Sequence, residues 1–178
     1  MSIRRRPVIG VMGSHTDAHL HRARQVGEWV ARQGYHLLTG AGEGVMGAVT
    51  RAFVEVSDRQ GSALGVVPCL PEDPRCTPVP GYPNPWVEIP IYTHLDRGGP
   101  GGDELTSRNH VNVLTSNALI LLPGGEGTAS EARLALKYRR PLIAYLESRD
   151  EIPGLLIAIP VESDWSLVTA FVSTWVED

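Results

Sequence analysis

Leu121-Leu122-Pro123-Gly124-Gly125-Glu126-Gly127-Thr128-Ala129-Ser130-Glu131 decides how this 178-residue chain is read. An apolar run, Ala118 to Leu122, stops at Pro123. Three glycines follow within four residues, and a helical pattern begins at Thr128. The order is strand, glycine turn, helix. Such a junction aims backbone N–H groups at one point with the helix dipole behind them, which suits a phosphate. Gly124, Gly125 and Gly127 allow the close approach that side chains would block, and Thr128 adds a hydroxyl, so these four are the candidate phosphate cradle.

The same alternation extends outward. Pro7 to Met12 reads as a strand buried on both faces, ending at Gly13-Ser14. A helix is predicted over Ala18 to Gln33 with Gly34 closing it, a strand over His36 to Thr39, and a helix over Val45 to Val56. Further strands are predicted at Ala63 to Val67, Ala118 to Leu122 and Pro141 to Leu146, and further helices at Asp103 to Thr115 and Thr128 to Tyr138. The last helix is expected at 164–176, with Trp165, Val168, Val172 and Trp175 on its apolar side. This is the pattern of an α/β, Rossmann-like, doubly wound parallel sheet flanked by helices, one domain over 1–178. Ligands in such folds sit at the carboxyl ends of the strands, near the reversal of strand order.

Residues 68–102 break the pattern. Eight prolines between Pro68 and Pro90 exclude helix and central strand, so a loop over the site is expected, ending in an extended piece from Trp86 to Tyr92. Arg97 to Gly102, rich in glycine, is expected to be mobile. Cys69 and Cys76 lie in the same region. No secretory h-region and no apolar run of about 20 residues is visible. A cytoplasmic protein with both thiols reduced is therefore expected. A net charge of −4 disfavours nucleic acid as partner. Arg4-Arg5-Arg6 is read as a solvated tail.

Three turns should converge on one crevice. Its further candidate ligand-binding residues are Gly13 and Ser14, then Gly40, Gly42, Gly44 and Met46, and Asn112. Glu104, Arg108 and Asn112 would share one helical face, with Leu105, Val111 and Leu114 toward the core. An arginine beside an anion loop suggests a guanidinium clamp, although a surface pair with Glu104 would account for it equally. Glu131 has two readings. Thr128-Ala129-Ser130-Glu131 spells a capping box, yet a carboxylate beside a phosphate site suits a base or a hydroxyl acceptor. Arg108 favours the second. Gly42-Glu43-Gly44-Val45-Met46-Gly47 formally fits G-x-G-x-x-G, but it follows the second strand, and no nicotinamide cofactor is expected. His15, His19 and His21 do not have zinc spacing, so no metal is expected. A Walker lysine and a G-x-S-x-G elbow are absent.

Pro123 to Glu131 resembles the P-G-G-x-G-T-x-x-E motif of the LONELY GUY family, Rossmann-like proteins long mislabelled lysine decarboxylases. Arg108 stands where that family has its active-site arginine, and Gly40 to Gly47 resembles its first glycine motif. The similarity in order covers roughly residues 7–147. It implies a homodimer, or a higher homo-oligomer, that binds a nucleoside monophosphate such as AMP and hydrolyses its N-glycosidic bond to free base and ribose 5-phosphate. No metal or other cofactor is implied. Carried over by position, Gly124, Gly125, Gly127 and Thr128 would hold the 5′-phosphate, Glu131 would handle the ribose and the attacking water, and Arg108 would orient it. Three departures stand out: Asn109 replaces a lysine, Glu126 replaces an aromatic residue, and the Cys69–Tyr92 loop is long. The wider superfamily includes molybdenum-cofactor carriers, which implies the alternative of a non-catalytic carrier or sensor of a phosphorylated pterin or nucleotide.

Overall fold

A computed structural model of the chain describes residues 5–176, so Arg4 of the basic triplet lies outside the described residues. Seven strands form one parallel sheet: β1 (Val8–Met12), β2 (His36–Thr39), β3 (Ala63–Pro68), β4 (Ile89–Thr93), β5 (Ala118–Leu121), β6 (Leu142–Tyr145) and β7 (Val161–Glu162). Their order is β4-β3-β2-β1-β5-β6-β7, with every pairing parallel. The described helices are α1 (Leu20–Arg32), α2 (Val45–Val54), α3 (Asn109–Thr115), α4 (Glu126–Lys137) and α5 (Trp165–Val176).

Burial of the sheet on both faces follows from the period-two geometry of a strand. In β5, Ala118 and Ile120 join the cluster with Val26 of α1, Phe53 of α2 and Val168 of α5. Leu119 and Leu121 join the opposite cluster with Val113 of α3 and Leu134 of α4. Helices α1, α2 and α5 therefore cover one face, and α3 and α4 the other. Strand order reverses between β1 and β5, where Ser14 N–H donates to the Pro123 carbonyl (2.9 Å) and ties the two diverging loops together.

Helices α1 and α2 pack closely at Gly27, where a β-carbon would collide with the Val49 carbonyl and sit 3.0 Å from Phe53 N. Gly27→Ala is expected to destabilise the fold by about 1–3 kcal/mol through this overpacking, read by urea unfolding; an unchanged midpoint would contradict the close contact.

Several predicted boundaries shift for local reasons. Helix α1 starts at Leu20 because His19 is left-handed (φ 41°), so Ala18 lies outside it. Helix α4 starts two residues early because Gly125 takes the N-cap. The largest correction concerns Asp103 to Thr115. Ser107 bridges Arg97, its Oγ donates to the Arg97 carbonyl (3.0 Å) and accepts from Asn109 N–H (3.1 Å), and only Asn109–Thr115 is α-helical. Glu104 therefore shares no helical face with Arg108; it approaches Arg97 instead (3.9 Å). Leu105 is 85% exposed and Leu114 44%, while Val113 is fully buried, so of the predicted core-facing set Val111 alone packs against the core. Trp175 is likewise exposed, while Val168 and Val172 are buried and Trp165 stacks edge-on to Trp29. Gly99–Gly101 forms a 3-10 turn within the glycine-rich segment.

The Pro-rich loop corrects the expectation of reduced thiols: Cys69 and Cys76 form a disulfide. A tight hairpin, closed by Leu70 N–H to the Thr77 carbonyl (2.8 Å) and a Cys69–Pro78 bridge, brings their Cα atoms to 4.9 Å, within bridging range. No helix among the described residues is long and apolar enough to cross a membrane. Arg6 is not simply solvated: its guanidinium donates to the Gly34 carbonyl (3.1 Å) and to Gln60 Oε1 (2.8 Å).

Candidate functional site

A cleft of about 520 Å³ opens at the carboxyl ends of β1 and β5, where fold topology places ligand sites. It brings together Gly13, Ser14, Gly40, Met46, Arg108, Asn112, Gly125, Gly127, Thr128 and Glu131 of the predicted residues.

The first turn of α4 forms one wall. Ala129 N–H donates back to the Gly125 carbonyl (3.1 Å), but among the described residues the N–H groups of Gly125, Glu126, Gly127 and Thr128 have no intrachain acceptor. These are the orphan donors of a helix start, and Gly125, Gly127 and Thr128 line the cleft. Gly124 is different. Its N–H donates to the Glu151 carbonyl (3.1 Å), it is absent from the lining, and a β-carbon there would meet Thr128 Cβ at 2.9 Å. It is a packing residue and has no donor left for a phosphate. Glu126 puts its carboxylate on Arg133 Nη2 (2.7 Å), so the anion stays outside the lining.

The first glycine turn behaves similarly. Gly40 lines the cleft, but Gly42 and Gly44 do not. At Gly42 a β-carbon would press on the His15 ring (2.9 Å) and Met46 (2.8 Å), so glycine makes room for them. Gly44 needs its positive φ (60°) where Val45 N–H reaches the Ser14 carbonyl (2.9 Å).

Arg108, 9% exposed, precedes α3. Nη1 donates to the carbonyls of Gly40 (2.6 Å) and Val66 (2.7 Å), at the ends of β2 and β3, and Nη2 donates to Tyr82 Oη (3.3 Å). Its guanidinium also lies 5.1 Å from the Tyr82 ring centroid. The cation is thus fixed by the strand ends and needs no partner carboxylate, which removes the surface pair with Glu104.

Glu131 resolves its two readings geometrically. It lies in the second turn of α4, beyond the reach of the Gly125 cap, and is buried. Its Oε1 accepts from Asn112 Nδ2 (2.9 Å), so no capping box forms. Burial pushes its carboxyl up to about 7, against the lowering effect of the Asn112 hydrogen bond and the Arg108 charge. Asn112 Oδ1 is buried with no partner, an open acceptor beside that carboxyl. Asn109 donates to Ser130 Oγ (3.2 Å) and offers no charge.

Sequence reading missed part of the lining: Pro68, Val79 and Tyr82 from the Pro-rich loop, and Asp96, Gly98 and Gly99 beyond it. Only the loop's predicted position over the site pointed to them.

The site is thus that of a Rossmann-like protein with a helix start of unpaired amides at the sheet's switch point. Residues 6–158 match the SLOG cluster4 family, and the chain belongs to it. It is 31% identical over 131 residues, 72% of this chain and 73% of the other, to an uncharacterized protein of Archaeoglobus fulgidus. Among solved structures it is similar to the molybdenum cofactor carrier protein of Chlamydomonas reinhardtii (29% identity, 98% of this chain and 100% of that one, TM-score 0.72). It is also similar to the molybdenum cofactor binding protein of Rippkaea orientalis (26% identity, 96% and 97% covered, TM-score 0.68).

Proposed function

We propose that the cleft binds a phosphate monoester of a flat heterocycle, a pterin phosphate of the molybdenum-cofactor type or a nucleoside monophosphate, and that the protein acts as its carrier. The observation that carries this reading is the run of unpaired amides at Gly125 to Thr128, three of which belong to residues that line an open cleft. Whole-length likeness to two molybdenum-cofactor proteins supports the pterin. Gly125, Gly127 and Thr128 would hold the phosphate, and Arg108 and Asn112 would line the ligand's middle.

One feature favours a second reading, hydrolysis of a nucleotide N-glycosidic bond. Gly127 and Glu131 share a helical face, about 6 Å apart along the axis, so a 5′-phosphate on the amides brings its ribose toward Glu131. A carboxyl with a pKa of about 7 is half ionised near neutrality, as a general base requires. Asn112 Oδ1 would accept a ribose hydroxyl. The homodimer belongs to the same proposal, with the exposed Leu105, Leu114 and Leu136 as apolar surface; size exclusion tests it.

Binding and turnover separate the two readings. Titration with 6-hydroxymethylpterin phosphate and with AMP, alongside an assay for free adenine, is expected to give saturable binding without adenine release. Adenine release that Glu131→Gln abolishes would instead establish the hydrolase. No binding of either ester would overturn both.

A further inference from the structure

The Pro-rich loop carries a feature that phosphate binding leaves unexplained. Tyr82 and His15 present near-parallel rings, 15° apart in plane with centroids separated by 5.9 Å, and both residues line the cleft. They come from loops far apart in sequence, and backbone hydrogen bonds hold the loop of the tyrosine. Around Tyr82, Tyr82 N–H donates to the Val79 carbonyl (3.0 Å) and Val79 N–H to Pro68 at the end of β3 (3.0 Å). Two residues on, Asn84 N–H donates to the Ala41 carbonyl (2.8 Å) and Asn84 Nδ2 to the Gly42 carbonyl (2.9 Å). This ties the tyrosine to the first glycine turn. On the other side, the absence of a side chain at Gly42 leaves space for the His15 ring.

We propose that His15 and Tyr82 form a ring clamp for the heterocycle, and that Tyr82 is the residue that selects heterocyclic phosphate esters over plain sugar phosphates. The inference rests on the binding reading above and adds the identity of the group that recognises the ring. Offset aromatic pairs span about 4.5–7 Å between centroids, so this pair sits toward the open end of that range. Rotation of the exposed His15 side chain that opens the pair to about 7 Å between faces admits a third ring, since each face needs roughly 3.5 Å. The clamp and the amides belong to one cleft. Arg108 links them, since its charge acts on Glu131 of α4 while its Nη2 donates to Tyr82 Oη (3.3 Å). That hydrogen bond fixes the phenol edge, the guanidinium lies 5.1 Å from the ring centroid, and the stacking face is the one turned to His15. A ribose 5-phosphate engages the amides but offers nothing flat to the clamp.

The test compares AMP, 6-hydroxymethylpterin phosphate and ribose 5-phosphate by calorimetric titration. All variants carry Glu131→Gln, so that no turnover confuses binding. Tyr82→Leu is expected to weaken the heterocyclic ester by roughly tenfold, the scale of one lost stacking face. Ribose 5-phosphate should change less than about twofold, and Tyr82→Phe, which keeps the ring, should stay near the parent. His15→Leu, at an exposed position outside the core, repeats the test should Tyr82→Leu misfold. Equal losses for all three ligands, or none for the heterocyclic esters, would overturn the clamp while ribose 5-phosphate binding kept the cleft reading intact. Failure of the parent to bind any of the three would overturn both.

Discussion

Gly125→Asp is expected to lose affinity for a phosphate monoester by about 100-fold or more while folding like the parent. Gly125 has φ −106° and ψ −154°, extended backbone that any residue adopts, and a β-carbon there meets nothing within 4 Å. The added carboxylate enters open space at the mouth of the amide group, and its oxygens can take the orphan N–H groups intended for the ligand. Aspartate is also a good N-cap, so the helix itself should not suffer. The loss combines a blocked set of donors with repulsion between two anions, and 100-fold corresponds to about 2.7 kcal/mol. Gly125→Ala, which adds bulk without charge, should bind within a few-fold of the parent. If Gly125→Asp binds as well as Gly125→Ala, the phosphate does not sit on this helix.

Glu131→Gln is expected to stabilise the protein at high pH and to leave it unchanged in acid. The folded protein holds the Glu131 proton up to about pH 7, whereas the ordinary carboxyl value is 4.5. Between these values the folded state binds more protons than the unfolded chain, so stability falls as pH rises. Below the lower value both states are protonated and the group contributes no penalty. Above pH 7 the whole cost of a buried charge is present, on the order of 3 kcal/mol. Glutamine cannot ionise and escapes it. Its amide can also donate to the unpaired Asn112 Oδ1, as a protonated carboxyl can. Urea unfolding at pH 4.5 and pH 8.5 reads the difference directly. A variant less stable than the parent at pH 8.5, or equally shifted at both pH values, would mean that Glu131 is comfortably charged and not held in the poised state described above.

The parts legible in the sequence were those governed by local rules. Apolar runs of strand length, glycines at their carboxyl ends and helical spacing after them led to the sheet, its switch point and the cleft at Gly13, Gly40 and Gly125. What stayed hidden depends on contacts across long stretches of chain. Gly124 looks like any other member of a glycine loop until Glu151 takes its N–H. Gly42 and Gly44 fit a ligand motif, yet their lack of side chains serves His15 and the Ser14 backbone. Helical periodicity around Arg108 extended too far because the Ser107 hydroxyl and its bridge to Arg97 stop the helix, which no local pattern announces. Prolines marked 68–90 as irregular without indicating that Asn84 would draw Tyr82 over the cleft, or that a hairpin would pair Cys69 with Cys76. The acid-base character of Glu131 was equally out of reach, since it comes from burial, which outweighs the lowering effect of the Asn112 hydrogen bond, and not from its place in a capping pattern.

The most direct measurement follows the backbone amides themselves. In a titration of the 15N-labelled protein with 6-hydroxymethylpterin phosphate or AMP, the N–H resonances of Gly125, Glu126, Gly127 and Thr128 should move downfield together and saturate with the binding curve. Gly124, already bonded to Glu151, should move far less. Saturable binding that leaves those four amides in place would contradict the account.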